Sequence, residues 1–293
     1  MTFREVLNWG KEQLQHAGIL EYDLDAWLLL EYVSGISRAM YFVRDGEEME
    51  ESCRKQYEEA IRRRESRVPL QHITGVQEFM GYKFHVNEHV LIPRQDTEIL
   101  VEEADREAKE TGANRILDLC TGSGCILLSL LKMNENRTGT GSDLSEMALK
   151  TAEENRCLLG IPEERAEFLQ SDLFEKIEGT YDMIVSNPPY IRTEEIRKLQ
   201  DEVRLHDPYE ALDGKEDGLY FYRRIISEAC RYFDHQGMLI FEIGYDQAED
   251  VRRLMEEAGY SKVWIKKDLA GLDRVVGGVY NKARENEEEL TNV

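Results

Sequence analysis

Four consecutive residues, Asn187-Pro188-Pro189-Tyr190, bring together the groups needed to hold a planar amino group. They follow Met183-Ile184-Val185-Ser186, a short run, β-branched at its centre, that reads as a buried strand and has to stop where it meets Pro188. Asn187 then sits at the carboxyl end of a strand, the rim at which open α/β sheets bind ligands. Two prolines stiffen the loop. The Asn187 side-chain oxygen and the Pro188 carbonyl can each accept one N–H bond of an NH2 group, while the Tyr190 ring lies flat against its conjugated plane. Pro188-Pro189 alone would read as an ordinary turn. Asn187 before it and Tyr190 after it, at a strand end, make catalysis by these four residues the better reading.

A second stretch has the make-up of a cofactor loop. Ile116-Leu117-Asp118-Leu119 runs into Cys120-Thr121-Gly122-Ser123-Gly124-Cys125 and then into the apolar Ile126-Leu127-Leu128, a strand, a tight glycine turn and a helix. In that geometry the backbone approaches a ligand with no Cβ in the way. A dinucleotide fingerprint needs a third glycine three residues after Gly124, where Leu127 stands, so a pyrophosphate is disfavoured and a nucleoside without phosphate fits better. Asp143 closes the next strand nineteen residues after Gly124, close to the separation of about twenty at which a βαβ unit places an acid against ribose hydroxyls. Asp172, after the third strand, is open to two readings, an acceptor for an adenine amino group or a solvated turn residue.

Such residues need a parallel sheet to gather them. From Arg115 onward strands and helices alternate, with strands expected at 115–119, 138–142, 166–170, 183–186 and 238–243 and helices at 126–133, 145–159, 218–233 and 247–258. The last two β-like runs, 262–267 and 274–280, have no helix between them and predict an antiparallel hairpin. Ahead of this lies a helical region. Thr2 with Glu5 forms a capping box, and Phe3, Val6, Leu7, Gly10 and Leu14 then share one helical face. A second helix from about Asp23 is expected to turn Leu24, Trp27, Leu28 and Tyr32 inward. A third, at 49–64, repeats Cys53, Tyr57, Ala60 and Ile61 at helical spacing. Pro69 ends that pattern, Leu70-Gln71-His72-Ile73-Thr74-Gly75 leads into a β-hairpin connector around Gly81, and Asp96 or Thr97 is expected to cap the helix carrying Ile99, Leu100 and Ala104.

Composition narrows the function classes. Hydrophobic residues make up 41% of the 293, enough for a sizeable core. The five cysteines show no pairing pattern and no CxxC, and the six histidines show no ligand spacing, so a reducing cytoplasm and no metal site are expected. No run approaches the roughly eighteen apolar residues of a membrane span, and the amphipathic N-terminus has no signal-peptide core. A net charge of −22, from 59 acidic against 37 basic residues, would repel a phosphate backbone unless the cations were gathered, and only Arg62-Arg63-Arg64 forms a basic run.

Together these segments resemble class I S-adenosylmethionine-dependent methyltransferases. Leu70-Gln71-His72-Ile73-Thr74-Gly75, Ile92-Pro93-Arg94, Asp96-Thr97-Glu98, Asp118, Thr121-Gly122-Ser123-Gly124 and Asn187-Pro188-Pro189-Tyr190 look more closely like the HemK-type protein-(glutamine-N5) methyltransferases of peptide chain release factors, over nearly the whole chain. The resemblance implies a seven-stranded, mostly parallel α/β sheet with a small all-α N-terminal domain and a β-hairpin linker. It divides the chain into a substrate-positioning helical domain at 1–68, the linker at 69–95, the methyltransferase domain at 96–284 and an acidic tail at 285–293. It implies S-adenosylmethionine bound by Thr121, Gly122, Ser123, Gly124, Cys125, Asp143, Asp172, Leu173 and Asn187, and the glutamine of a Gly-Gly-Gln release-factor tripeptide as methyl acceptor. Gln95 stands where many members have proline, and Leu173 where some have an aromatic against the adenine, a place Phe174 could take. The rival readings are a nucleic-acid amino-methyltransferase, acting on adenine N6 or guanine N2, and a non-catalytic partner-binding adaptor. The negative charge stands against the first and the intact glycine loop against the second.

Overall fold

The computed structural model describes residues 1–282. It forms two compact units, one of Met1–Val76 with Leu199–His206, the other of Gln77–Lys198 with the described residues from Asp207 to 282.

The first unit is helical: α1 (Phe3–His16), α2 (Tyr22–Ser34), α3 (Arg38–Arg44), α4 (Glu51–Glu65) and α5 (Leu70–Thr74). The capping box forms as its spacing predicts. Glu5 N donates to the Thr2 hydroxyl at 3.3 Å, Thr2 N donates to Glu5 Oε2 at 2.8 Å, and Phe3, Val6, Leu7, Gly10 and Leu14 are buried. Helix α2 departs from expectation, because Leu24 and Tyr32 are exposed while Asp25, Ala26, Trp27, Leu29 and Leu30 are buried. The apolar run Ala26–Leu30 is wider than one stripe, so hydropathy leaves its face undecided. A buried ion pair decides it: Arg64 Nε donates to Asp25 Oδ2 at 2.7 Å, which turns the Asp25 edge inward. Arg64 and Arg67 also each reach Glu202 Oε1 at 3.2 Å, from the later segment that this unit includes. Residues 70–74, which lead into the hairpin, make one helical turn that ends at Gly75 in the left-handed conformation.

The second unit contains a two-stranded hairpin, β1 (Val76–Phe79) and β2 (Tyr82–His85), and then α6 (Gln95–Thr111). The sheet follows as β3 (Arg115–Leu119), α7 (Cys125–Met133), β4 (Thr138–Asp143), α8 (Glu146–Leu158), β5 (Ala166–Gln170) and β6 (Tyr181–Ser186). After the short α9 (Thr193–Ile196) and α10 (Asp201–His206), the latter in the helical unit, come α11 (Tyr220–Ala229), β7 (Phe233–Glu242), α12 (Ala248–Glu257), β8 (Ser261–Lys267) and β9 (Asp273–Asn281). Helix α6 begins at Gln95 with no side-chain cap, and Thr97, expected as a cap, lies buried in its first turn. The helix expected over 218–233 closes earlier, giving way to a tighter turn at Cys230–Tyr232. The expected acidic tail at 285–293 lies outside the described residues.

The seven strands run in the order β5-β4-β3-β6-β7-β9-β8, parallel from β5 to β7, with β9 antiparallel to both neighbours. The strand core is covered on both faces. Met183 and Val185 of β6 pack with α6 and α7 residues such as Leu100 and Leu130, while Ile184 packs on the other face with Tyr222, Ile225 and Val251 of α11 and α12. All three strand residues are fully buried, each contributing roughly 1.5–3 kcal/mol. That two-sided burial is why β6 is apolar at every central position rather than alternating. The chain runs outward from β3 through β4 to β5 and then returns to the other side of β3 for β6. The carboxyl ends of β3 and β6 therefore form the topological switch point at which such sheets bind ligands.

Candidate active site

Leu119 at the end of β3 pairs with Ser142 on one side and Ser186 on the other. Cys120, Asp143 and Asn187, each the next residue along its strand, consequently leave the sheet side by side. A cavity of about 670 Å³ opens there, lined by Thr121, Gly122, Ser123, Cys125, Asp143, Asp172, Leu173, Asn187 and Pro189 among others. A more open hollow of about 1030 Å³ lies at the amino ends of the strands, near Arg115, Thr138 and Ala166, and touches none of these residues. The carboxyl-end cavity is the candidate site because it gathers the separated motifs. Gly124, Pro188 and Tyr190 do not line it.

The glycine loop is shaped by its own residues. Asp118 is fully buried; its Oδ2 accepts from the Thr121 hydroxyl at 2.6 Å and from Leu127 N at 3.3 Å, which ties the strand end to the start of α7. Its Oδ1 has no hydrogen-bond partner among the described residues, and burial pushes the carboxyl up to about 7. Gly124 caps α7 at φ +77°, and an added Cβ would meet Leu128, Ala152 and Phe168 side chains at 3.0–3.3 Å, so both conformation and close packing require glycine. Gly122 shares the positive φ, at +54°, but not the crowding: a Cβ there would meet nothing within 4 Å, and the backbone faces open space. Asp143 braces this loop: Gly122 N donates to its Oδ2 and Ser145 N to its Oδ1, both at 2.9 Å, while burial holds its carboxyl above the usual range against those two bonds.

The adenine end differs in detail from the sequence reading. Asp172 Oδ1 accepts from Arg224 at 2.9 Å, so one of its oxygens is engaged. Leu173, at φ +51°, lines the cavity, but Phe174 stacks on Tyr232 at 4.6 Å between ring centres, in the core. Phe221, which no motif announced, is the phenylalanine that lines the cavity.

The Asn187 loop is held from behind. Its Nδ2 donates to the Thr97 hydroxyl at 3.4 Å, while neither Oδ1 nor the Pro188 carbonyl has a hydrogen-bond partner among the described residues. Of the two, Asn187 lines the cavity. Tyr190, expected to lie against the acceptor, turns its hydroxyl to Glu242 Oε1 at 3.2 Å and is otherwise embedded. Its carbonyl accepts from Gln247 Nε2 at 3.0 Å, and the Gln247 Oε1 accepts from Gly244 N at 3.0 Å. Gly218, at φ +76°, approaches so closely that an added Cβ would sit 2.5 Å from the Tyr190 carbonyl oxygen. Arg94 lines the same cavity and donates to the buried Asp207 at 2.7 Å, whose carboxyl burial raises to about 6. Thr97, Glu242, Gln247 and Gly218 belong to this site and were missed, because each is an ordinary residue of a helix, strand or turn until the fold brings it to the loop.

Comparison with known proteins finds the same two-part organisation. The PrmC N-terminal domain family matches residues 5–75 and the methyltransferase small domain family matches residues 95–204. A release factor glutamine methyltransferase of Clostridium acetobutylicum is 42% identical over 258 residues, covering 87% of this chain and 90% of that one. A second, from Geobacter sulfurreducens, is 38% identical over 278 residues, covering 94% and 96%. Among solved structures, the catalytic domain of human Mettl16 superposes with a TM-score of 0.56 at 14% identity, covering 71% of this chain and 79% of that one, a likeness of fold.

Proposed function

The chain belongs to the release factor glutamine methyltransferase family, and from that premise we propose how its residues carry the reaction. The enzyme transfers a methyl group to the side-chain amide nitrogen of a release factor glutamine. We assign S-adenosylmethionine as the donor and the glutamine of a Gly-Gly-Gln tripeptide as the acceptor. The cavity's residues fit such a donor: Gly122 presents backbone to open space, Asp143 carries a carboxylate for ribose hydroxyls, and Leu173 and Phe221 offer apolar surface for a base. When bound, S-adenosylmethionine supplies an electrophilic methyl on a sulfonium.

The residues of the chain must make a poor nucleophile attack. An amide nitrogen shares its lone pair with its carbonyl, and two acceptors on its N–H bonds raise electron density on nitrogen and fix its direction. Asn187 Oδ1 and the Pro188 carbonyl are such a pair, and their freedom from other partners at the switch point is the observation that carries this reading. Pro189 stiffens the loop and Tyr190 anchors it. No side chain needs to take a proton before transfer; the methylated amide then loses one to solvent. Residues 1–68 are assigned to positioning the protein substrate, 69–95 to a linker and 96–284 to methyl transfer, except that Leu199–His206 goes with the helical unit. Among the described residues no helix is long and apolar enough to cross a membrane, and a translation factor as substrate places the reaction in the cytoplasm.

Labelled S-adenosylmethionine offered with a release factor tests this. Label is expected on the factor and lost when the glutamine of its Gly-Gly-Gln is changed. Label on DNA or RNA, with none on the factor, would overturn the acceptor assignment.

A further inference from the structure

Part of the wall of the carboxyl-end cavity is a single stretch of chain: Pro208, Tyr209, Glu210, Ala211 and Lys215 line it, together with Arg94 from the linker. This stretch is fastened unevenly. Its later part is stitched to the acceptor loop, where Ile191 N donates to the Leu212 carbonyl at 3.0 Å, Gly214 N to the Ile191 carbonyl at 2.8 Å and Thr193 N to the Lys215 carbonyl at 3.0 Å. Asp213 accepts from the Thr193 hydroxyl at 2.6 Å, and an added Cβ at Gly214 would sit 2.7 Å from the Tyr190 backbone. The earlier part has no such stitching. Ala211 N and Leu212 N bond within their own turn, to the Pro208 and Tyr209 carbonyls at 3.0 and 3.1 Å. Among the described residues, the one hydrogen bond or ion pair from 207–211 to a distant segment runs from Arg94 Nη2 to Asp207 Oδ2, at 2.7 Å.

That fastening is of a kind that can let go. The Asp207 side chain is fully buried, and its Oδ1 has no hydrogen-bond partner among the described residues. A buried carboxylate with one of its oxygens unsatisfied regains little of the hydration it gave up, so the closed pair is only slightly favoured over two hydrated ions. The Arg94 side chain, 43% exposed, is already partly in water. Three backbone bonds hold 212–215, whereas one marginal ion pair holds 207–211.

We propose that Asp207 is a positioning residue for cofactor binding: its bond to Arg94 holds the 207–211 end of the wall shut against the linker, and release of that bond lets the donor enter and the spent donor leave. This rests on the reading of the cavity as the S-adenosylmethionine site. Opening moves the 207–211 turn, with the half-exposed Tyr209, about residues 212–215, which stay with the acceptor loop. The Asn187 grip therefore keeps its geometry while the cofactor exchanges, and the bond governs passage rather than chemistry.

The test binds labelled S-adenosylmethionine to the full-length enzyme without a release factor and follows association and dissociation in the parent, Asp207→Asn, Arg94→Gln and the Asp207→Asn/Arg94→Gln pair. Asparagine keeps the shape of Asp207 but accepts a weaker, neutral bond. A looser gate speeds passage in both directions, so Asp207→Asn is expected to raise both rate constants by about tenfold while Kd stays within about threefold. A lost ligand contact or a slackened fold would raise dissociation alone. That result, or two unchanged rates, would overturn the proposal. In the pair, Asp207→Asn is expected to add nothing to Arg94→Gln, because both changes break one bond, and multiplicative effects would overturn it as well. Should the variants not fold, amide exchange in the parent decides. Ala211 N is expected to exchange about tenfold faster than Gly214 N in the free enzyme and to slow when S-adenosylmethionine binds. Equal protection of the two amides, with and without the donor, would refute the gate. A parent that binds no S-adenosylmethionine would instead sink the cofactor reading, and this proposal with it.

Discussion

The two loops at the switch point are built in different ways. The glycine loop is shaped first by its neighbours in sequence: Asp118 binds Thr121 and Leu127, and Gly124 starts α7, all within ten residues, while Asp143 and the Ser142 carbonyl accept from Gly122 N and Thr121 N and Asn155 Nδ2 donates to the Ser123 carbonyl. The acceptor loop is held by groups 52, 57 and 90 positions away, Glu242 and Gln247 on Tyr190 and Thr97 on Asn187. A donor molecule common to many enzymes can be met by a loop whose turn is set largely by its own residues. An acceptor amide must be met at a defined angle, and that angle is set by the packing of the rest of the sheet.

If this contrast is right, damage at the acceptor loop falls on kcat and damage at the glycine loop falls on cofactor affinity. The largest effect is expected for Asn187→Ala: loss of one well-placed acceptor costs about 2.7–4 kcal/mol of barrier, or about 10²- to 10³-fold in kcat. Calorimetry should show cofactor affinity nearly unchanged, and a comparable loss of affinity would erase the distinction. Gly218→Ala sharpens it from a distance. The substitution places a Cβ 2.5 Å from the Tyr190 carbonyl oxygen at positive φ, for which overpacking of about 1–3 kcal/mol is expected. A lowered melting temperature should accompany lowered kcat with cofactor affinity intact.

On the other side, Asp143→Ala should weaken S-adenosylmethionine binding by about 1.5–3 kcal/mol, roughly 10- to 100-fold in Kd, through lost charge-assisted bonds. Turnover at saturating cofactor should be largely retained, and an unchanged Kd would remove Asp143 from the ribose site. The smallest effect concerns stability. Burial raises Glu242 from 4.5 to about 7 in the folded chain, so the fold prefers its neutral form. That contribution is complete below the unfolded value of 4.5 and is lost as pH rises through about 7. Glu242→Gln should therefore raise the melting temperature above neutrality, by a net amount on the order of 1 kcal/mol once the weaker Tyr190 bond is subtracted. A fall there, with no change in the slope against pH, would show that the carboxylate stabilises the fold rather than costing it.

The same contrast explains what could be read in advance. Strands 115–119 and 166–170 were legible to the residue, because each is an apolar run closed by turn residues. Thr121, Gly122, Ser123, Cys125, Asp143 and Asn187, singled out because strand ends and glycines are marked locally, all line one cavity. Glu242 and Gln247 carry no local mark, since a Glu after Phe241 or a Gln before a helix is commonplace, and Thr97 was marked only as a helix cap and part of a motif, with nothing to tie it to Asn187. The face of α2 was hidden because Asp25 turns inward only to meet Arg64, 39 positions on. Phe174 was a reasonable guess for the adenine until Tyr232 claimed its ring.

The helical unit has one further implication, for how this enzyme could be taken apart. It is not a bead at the start of the chain, since Leu199–His206 belongs to it and supplies Glu202 to Arg64 and Arg67. A cut near residue 76 would leave that segment behind, stripped of both its cations, and would leave Arg64 with Asp25 alone. No single break in the chain therefore yields either part whole, and a gene fusion or domain exchange in this family has to carry two pieces of sequence to move one.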